Sequence, residues 1–231
     1  MSKSCGQLFD TWPERYRQWF ETPIGQRVKE YETRLVLDLL QPRVGERILD
    51  AGCGSGLFTE PVVARGAGAV GLDISLPMLR HAVRMLPGER FFPVAGDMLA
   101  LPFADEAFDK ALSVTALEFI EDARGALEEL FRVTRPGGRV VVATLNSLSP
   151  WAARREAQAR EKCDSVFRKA RFRSPEELRA LVPVEGEIRT AIHFEKSDSP
   201  EEADRLERKG AARSSLRGAF LIACWRKGDR T

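Results

Sequence analysis

"ILDAGCGSG", Ile48 to Gly56, passes from two apolar residues through an aspartate into glycines at every second position, Gly52, Gly54 and Gly56. The apolar start reads as a buried strand. The glycines read as a sharp turn into a helix whose first backbone N–H groups lack partners. Outward from this turn the rhythm repeats: "RILDA", "AVGLD", "RFFPVAGD", "FDKALSV" and "GRVVVATLN" are strand-like runs, each followed by helix-compatible sequence. That alternation predicts a doubly wound α/β architecture, a parallel sheet covered on both faces. "RPGGR", Arg135 to Arg139, is expected to close a helix before the fifth strand.

The flanks depart from that rhythm. Before Gly45, Val28, Tyr31, Leu35 and Leu39 form one helical stripe, while Trp12, Tyr16, Trp19 and Phe20 either dock on the sheet or cover a ligand as a lid. After Asn146, Trp151, Ala159, Cys163, Phe167 and Ala170 recur at near-helical spacing, and "SPEEL" from Ser174 opens a further helix. These helices are expected over the carboxyl ends of the strands. "EIRTAIHF" and "GAFLIACWRK" read as a terminal antiparallel strand pair, separated by a charged stretch from Glu195 to Arg217, with His193 in mid-strand. The whole chain, 1–231, is read as one domain: a helical lid over 1–44, a core over 45–146, and cover helices with a strand pair over 147–231.

Composition narrows the class. With 231 residues, 43% apolar, one sizeable core can be buried. A net charge of +2 gives no global field for nucleic acid or an anionic membrane. The apolar run Ala219 to Trp225 is far shorter than a membrane span, and the first twenty residues lack a secretory apolar core, so a soluble cytoplasmic protein is expected. Cys5, Cys53, Cys163 and Cys224 form no C-x-x-C pair, which suggests neither a metal site nor a disulfide framework.

The glycine turn is the expected ligand crevice of a doubly wound sheet. Asp73, closing the next strand in "GLDIS", is placed to accept from both hydroxyls of a ribose, so the ligand should carry a nucleoside. A dinucleotide would set its pyrophosphate on the turn, but Leu57 stands where that fingerprint wants a small residue, and Asp50 adds negative charge. S-adenosylmethionine instead offers an ammonium to the acid and a carboxylate to the backbone N–H groups.

With these residues the chain resembles the class I S-adenosylmethionine-dependent methyltransferases from about Val44 to Asn146. The carrying motifs are "ILDAGCGSG", "GLDIS", "AGDMLALPFADEAFD", "LSVTALEFIED" and "RVTRPGGRVVVATLN". The resemblance implies a seven-stranded Rossmann-like sheet and S-adenosylmethionine as cofactor. It further implies that Asp50, Gly52 and Gly54 hold the methionyl part and Asp73 the ribose, with Cys53 and Ile74 beside them. Asp97 and Met98 would meet the adenine, and Ser113 and Thr115 would lie near the reacting end.

Methyl transfer from a sulfonium is an in-line displacement that positioning alone accelerates strongly, and no obligatory dyad appears. Candidates for a base are Glu118, Tyr16 and Thr115; His81 and His193 read as structural. The motifs of amino-group nucleic-acid enzymes, of cytosine C5 enzymes and of arginine enzymes are absent, which favours a small-molecule acceptor between the fourth and fifth strand ends, facing Thr115 and Asn146. The stretch Arg154 to Arg173 holds eight basic residues against three acids, and one or two of its arginines could meet an anionic acceptor group. Two other readings stay open: an RNA methyltransferase using that basic stretch, and a silent S-adenosylmethionine-binding module. The acceptor atom and the oligomeric state are not legible.

Overall fold

The computed structural model describes residues 9, 18–161 and 165–228. Its strands are β1 (Arg47–Ala51), β2 (Gly68–Asp73), β3 (Phe91–Ala95), β4 (Phe108–Val114), β5 (Thr134–Leu145), β6 (Gly186–Ala191) and β7 (Phe220–Arg226). They form one sheet in the order β3-β2-β1-β4-β5-β7-β6. β1 to β5 pair in parallel, and β7 enters antiparallel between β5 and β6. The doubly wound seven-stranded sheet expected from the sequence is what the chain forms.

Side-chain alternation along the strands sorts residues into two cores, one on each face. Ile48, Leu112, Val141 and Ile222 enter the first, with the stripe Val28, Tyr31, Leu35 and Leu39 of helix α1 (Pro23–Leu40). Leu49, Ala111, Val140, Val142 and Leu221 enter the second, with Leu127 and Leu130 of α4 (Ala123–Val133). The remaining helices are α2 (Thr59–Ala64), α3 (Leu76–Met85), α5 (Pro150–Glu161), α6 (Pro175–Arg179) and α7 (Pro200–Ala212). Local chemistry sets their starts: the side chains of Thr22, Ser75, Ser174 and Ser199 each accept from a backbone N–H three residues on, with proline in the first turn. At Ser174 the capping box is complete, Glu177 accepting in return from the Ser174 N–H.

Three details differ from the sequence reading. "RPGGR" is not a loop: β5 begins at Thr134, and the register with β4 jumps from Phe108↔Thr134 to Lys110↔Arg139, so the stretch is a bulge inside the strand. Gly137 has φ of 75° and its N–H donates to the Lys227 carbonyl, which keeps the bulged backbone paired. The charged stretch after Glu195 contains a helix, α7, rather than only a connection. His193 lies beyond the end of β6; its N–H donates to Glu207 Oε2 at 2.8 Å, and its ring packs against Gly210. Among the described residues no helix is long and apolar enough to cross a membrane.

Candidate active site

β1 has β2 on one side and β4 on the other, and the chain reaches these neighbours by winding in opposite directions. At such a reversal the carboxyl strand ends leave a crevice. The glycine turn after β1 and the turn after β4 face each other there. All three glycines have positive φ, 75° at Gly52, 53° at Gly54 and 82° at Gly56, but their surroundings differ. A Cβ on Gly52 would lie 2.4 Å from the Ala116 Cβ, and one on Gly56 would lie 2.8 Å from Leu86 Cδ1, whereas one on Gly54 would meet nothing within 4 Å. Two glycines therefore serve close packing, and Gly54 opens the turn to the crevice.

A cavity of about 840 Å³ extends from this turn. Gly52, Cys53, Gly54, Asp73, Ile74, Asp97, Met98 and Thr115 all line it. Asp73 Oδ2 accepts from the Gly54 N–H and Oδ1 from the Ser75 N–H, both at 2.8 Å. A carboxylate has about four lone-pair sites, so two remain for a diol. Asp97 lines the crevice, its Oδ1 accepting from the Leu99 N–H at 2.9 Å. Ile74 is 50% and Leu99 42% exposed, two apolar side chains at the strand ends that a flat heterocycle would cover. These residues fit an adenosine. Thr115 has φ of 50°, a left-handed conformation uncommon for a β-branched residue, and its N–H is fixed by the Ala143 carbonyl.

Asp50 and Ser113 stand behind the wall rather than in it. Asp50 is buried with the Thr59 hydroxyl donating to Oδ2 at 2.6 Å, and Ser113 is fully buried against Met98 Sδ. Asn146 also turns away, its Nδ2 donating to the carbonyls of Leu216 and Gly218, so it latches the chain before β7 instead of facing an acceptor. Tyr16, Trp12, Cys5 and Cys163 lie outside the described residues, while Trp19 and Phe20 line the cavity and also pack on the first core.

The far end of the cavity is built by Glu118, Leu145, Trp151, Arg155 and Phe167, with Glu32 of α1, a residue that sequence reasoning missed. Glu32 lies one position past Tyr31 on the buried face of α1, and a lone acid beside an apolar stripe was the available signal. Burial pushes the Glu32 carboxyl up to about 8, the nearby Glu118 charge adding and Arg155 opposing. Burial likewise lifts Glu118 to about 7, against the Thr144 hydrogen bond and the charges of Arg155 and Arg173. Asp50 is raised by burial to about 7, its Thr59 hydrogen bond opposing. Each folded-state value lies above the ordinary carboxylate range near about 4. Between the two, the native state binds more protons than the unfolded one, so stability falls as pH rises. The free protein is expected to melt at a higher temperature near about pH 5 than near about pH 8, as differential scanning calorimetry would read. A melting temperature that rises over that interval would contradict the burial of these acids.

Of the basic stretch, Arg154 and Arg155 reach the cavity, but Arg154 pairs with Glu195 and Arg173 is buried, donating to the carbonyls of Leu117 and Arg171. Arg155 lies over the rings of Trp151 and Phe167, at 5.2 and 5.4 Å.

Residues 49–142 match the family described as "Methyltransferase domain". The chain is 42% identical over 110 residues to a demethylmenaquinone methyltransferase of Paenarthrobacter aurescens, covering 48% of this chain and 43% of that one. It is 38% identical over 167 residues to a malonyl-[acyl-carrier protein] O-methyltransferase of Pseudescherichia vulneris, covering 68% and 64%. The chain thus spans about half to two thirds of the length of these relatives. A solved structure from Thermotoga maritima, an S-adenosylmethionine-dependent methyltransferase and possible histamine N-methyltransferase, superposes with a TM-score of 0.75 at 23% identity, covering 97% of this chain and all of that one. The [4+2]-cyclase SpnF superposes with a TM-score of 0.69 at 19% identity, covering 97% and 95%, so the fold by itself does not name a reaction. With the glycine turn, the strand-end acids and the matched core in place, the chain belongs to the class I S-adenosylmethionine-dependent methyltransferase family.

Proposed function

We propose that the protein binds S-adenosylmethionine along the glycine turn and transfers its methyl group to a small organic acceptor enclosed beneath α1 and α5. The observation that carries this reading is the continuity of one cavity of about 840 Å³ from Gly54 and Asp73 to Glu118 and Trp151. S-adenosylmethionine would supply a methyl group on a positively charged sulfur, a leaving group already activated. The chain's own residues then have three tasks. Gly54 and Asp73 fix the methionyl and ribose parts, and Asp97, Met98 and Ile74 the base. Trp19, Phe20 and Trp151 exclude water, and the turn at Thr115 sets where the acceptor stops. Residues 1–44 serve as the lid and 147–231 as the cover helices and strand pair of a single methyltransferase domain, a reading supported by α1 and α5 both contributing to the wall.

A chamber walled in part by Trp19, Phe20, Trp151 and Phe167 suits a small molecule better than a nucleic acid, and the engaged Arg154 and buried Arg173 break up the basic stretch that the RNA reading needed. The relatives named for demethylmenaquinone and for malonyl-[acyl-carrier protein] support an organic acceptor. Arg155 and Lys196 on the wall support one with an anionic group. Scattered cysteines are consistent with a cytoplasmic setting.

S-adenosylmethionine and S-adenosylhomocysteine are each expected to stabilise the fold by about 2–4 kcal/mol at saturating concentration, and NAD(P) not at all. Asp73→Asn should weaken S-adenosylhomocysteine binding by about 1.5–3 kcal/mol in calorimetry, because the charged acceptor for the diol is lost. Stabilisation by a dinucleotide alone would overturn the cofactor assignment, and tight cofactor binding without turnover over a broad acceptor panel would favour a silent binding module.

A further inference from the structure

Two acids belong to the far end of the cavity, Glu118 from the turn after β4 and Glu32 from the middle of α1, 1% and 8% exposed. Thr144 donates its hydroxyl proton to Glu118 Oε2 at 3.1 Å, while Oε1, buried on the cavity wall, has no hydrogen-bond partner among the described residues. A buried carboxylate oxygen without a donor is unfavourable, and here the missing donor is one that the occupant of the cavity can bring. The charges around the pair select among donors. Arg155 of α5 acts on both acids and Arg173, before α6, on Glu118; Arg154 and Lys196 stand further along the same wall, and Glu121 follows the Glu118 turn. An ammonium would meet the Arg155 guanidinium as a like charge. A hydroxyl instead donates to Glu118 and, once its proton has gone, leaves an anion that Arg155 stabilises.

We propose that Glu118 and Glu32 form an acid pair that takes the proton from a weakly acidic hydroxyl acceptor, a phenol or an enol, Glu118 being the carboxylate that receives it and Glu32 its neutral partner. The proposal rests on the methyltransferase reading. The acceptor O–H bond breaks, its proton passing to Glu118 and its electron pair staying on the acceptor. That pair bonds to the methyl carbon, directly from oxygen or through the conjugated carbon, as the carbon–sulfur bond breaks and its electrons remain on sulfur. A positive sulfonium and a negative carboxylate become a neutral thioether and a neutral carboxylic acid; where carbon is methylated, the proton on that carbon is lost to solvent while the oxygen takes its proton back from Glu118, which restores the enol and the carboxylate. Values of about 7 for Glu118 and about 8 for Glu32 put the change of charge in the neutral range.

The test uses the full chain loaded with S-adenosylhomocysteine and three probes read by calorimetry: 2-naphthol, naphthalene, and the ammonium of 2-naphthylmethylamine. Measurements run from about pH 6 to about pH 8.5, where a phenol of ordinary acidity keeps its own proton. The expected result is that 2-naphthol binds about tenfold more tightly at the upper end, as the pair ionises and accepts its hydrogen bond, while naphthalene does not. Glu118→Gln should flatten that response. Glu32→Gln should keep it with its midpoint in place, since Glu32 still holds its proton where Glu118 ionises and Gln reproduces that neutral group. Equal affinity for 2-naphthol and naphthalene, tighter binding of the ammonium probe, or a response that survives Glu118→Gln would overturn the hydroxyl acceptor, and a displaced midpoint in Glu32→Gln would overturn the assignment of Glu118 as the acid that ionises first. If S-adenosylhomocysteine does not bind while the free chain still shows the naphthol response, the methyl-transfer reading fails and the acid pair stands.

Discussion

Gly52→Ala is expected to lower the free energy of unfolding by about 3 kcal/mol, the combined effect of a side chain at positive φ and of overpacking. The new methyl would lie 2.4 Å from the Ala116 Cβ, so the turn after β1 and the turn after β4 must move apart. Gly54→Ala makes the discriminating comparison. Its φ is 53° and its Cβ meets nothing within 4 Å, so the fold should lose only about 1 kcal/mol. Its N–H, however, holds Asp73 Oδ2 at 2.8 Å, and binding should weaken at least about tenfold as that hydrogen bond to a charged group is disturbed. Denaturant unfolding and S-adenosylhomocysteine titration of both variants would check the pair. Equal losses of stability would mean that the two glycines do the same job.

Phe194→Ala should be more damaging still, at about 3–5 kcal/mol by the usual range for a buried phenylalanine. The ring is 1% exposed and packs on the Tyr31 ring of α1 at a centroid distance of 6.1 Å. The backbone carbonyl of the same residue accepts from Trp151 Nε1 of α5 at 2.6 Å. One residue beyond the end of β6 thus braces both helices that wall the cavity. The loss should appear twice: as a lower denaturation midpoint, and as weaker protection of α1 and α5 from hydrogen exchange with cofactor bound. Protection unchanged in α5 would limit the role of Phe194 to the first core.

β1, β2, β4 and β5 were legible because buried parallel strands leave near-continuous apolar runs, β3, mostly exposed at the sheet edge, because Phe91, Phe92 and Val94 still mark a strand, and Asp73 and Asp97 because strand-end acids follow those runs. Other features were hidden for physical reasons. Helix α7 is mostly charged, and its buried residues Ala203, Glu207 and Gly210 carry no apolar stripe, although Ser199-Pro200-Glu201-Glu202 repeats the start signal at Ser174. The "RPGGR" stretch has the composition of a turn, and only its pairing to β4 and to Lys227 makes it a bulge. Gly52 and Gly54 look alike in sequence because what separates them is Ala116, sixty-odd residues away in the chain. Asn146 ends a family-like motif at a strand terminus, but its amide is used by Leu216 and Gly218, partners no local pattern reveals.

The position of β7 has a consequence for biosynthesis. A ribosome delivers β6 before β7, yet β6 touches the sheet only through β7. While the chain is being made, β5 therefore presents a bare hydrogen-bonding rim, and β6 has nowhere to dock until Phe220–Arg226 has left the exit tunnel. Such an open rim is a template for pairing with other nascent chains. Completion of the sheet is thus a late event, in which a single segment of seven residues closes two seams at once.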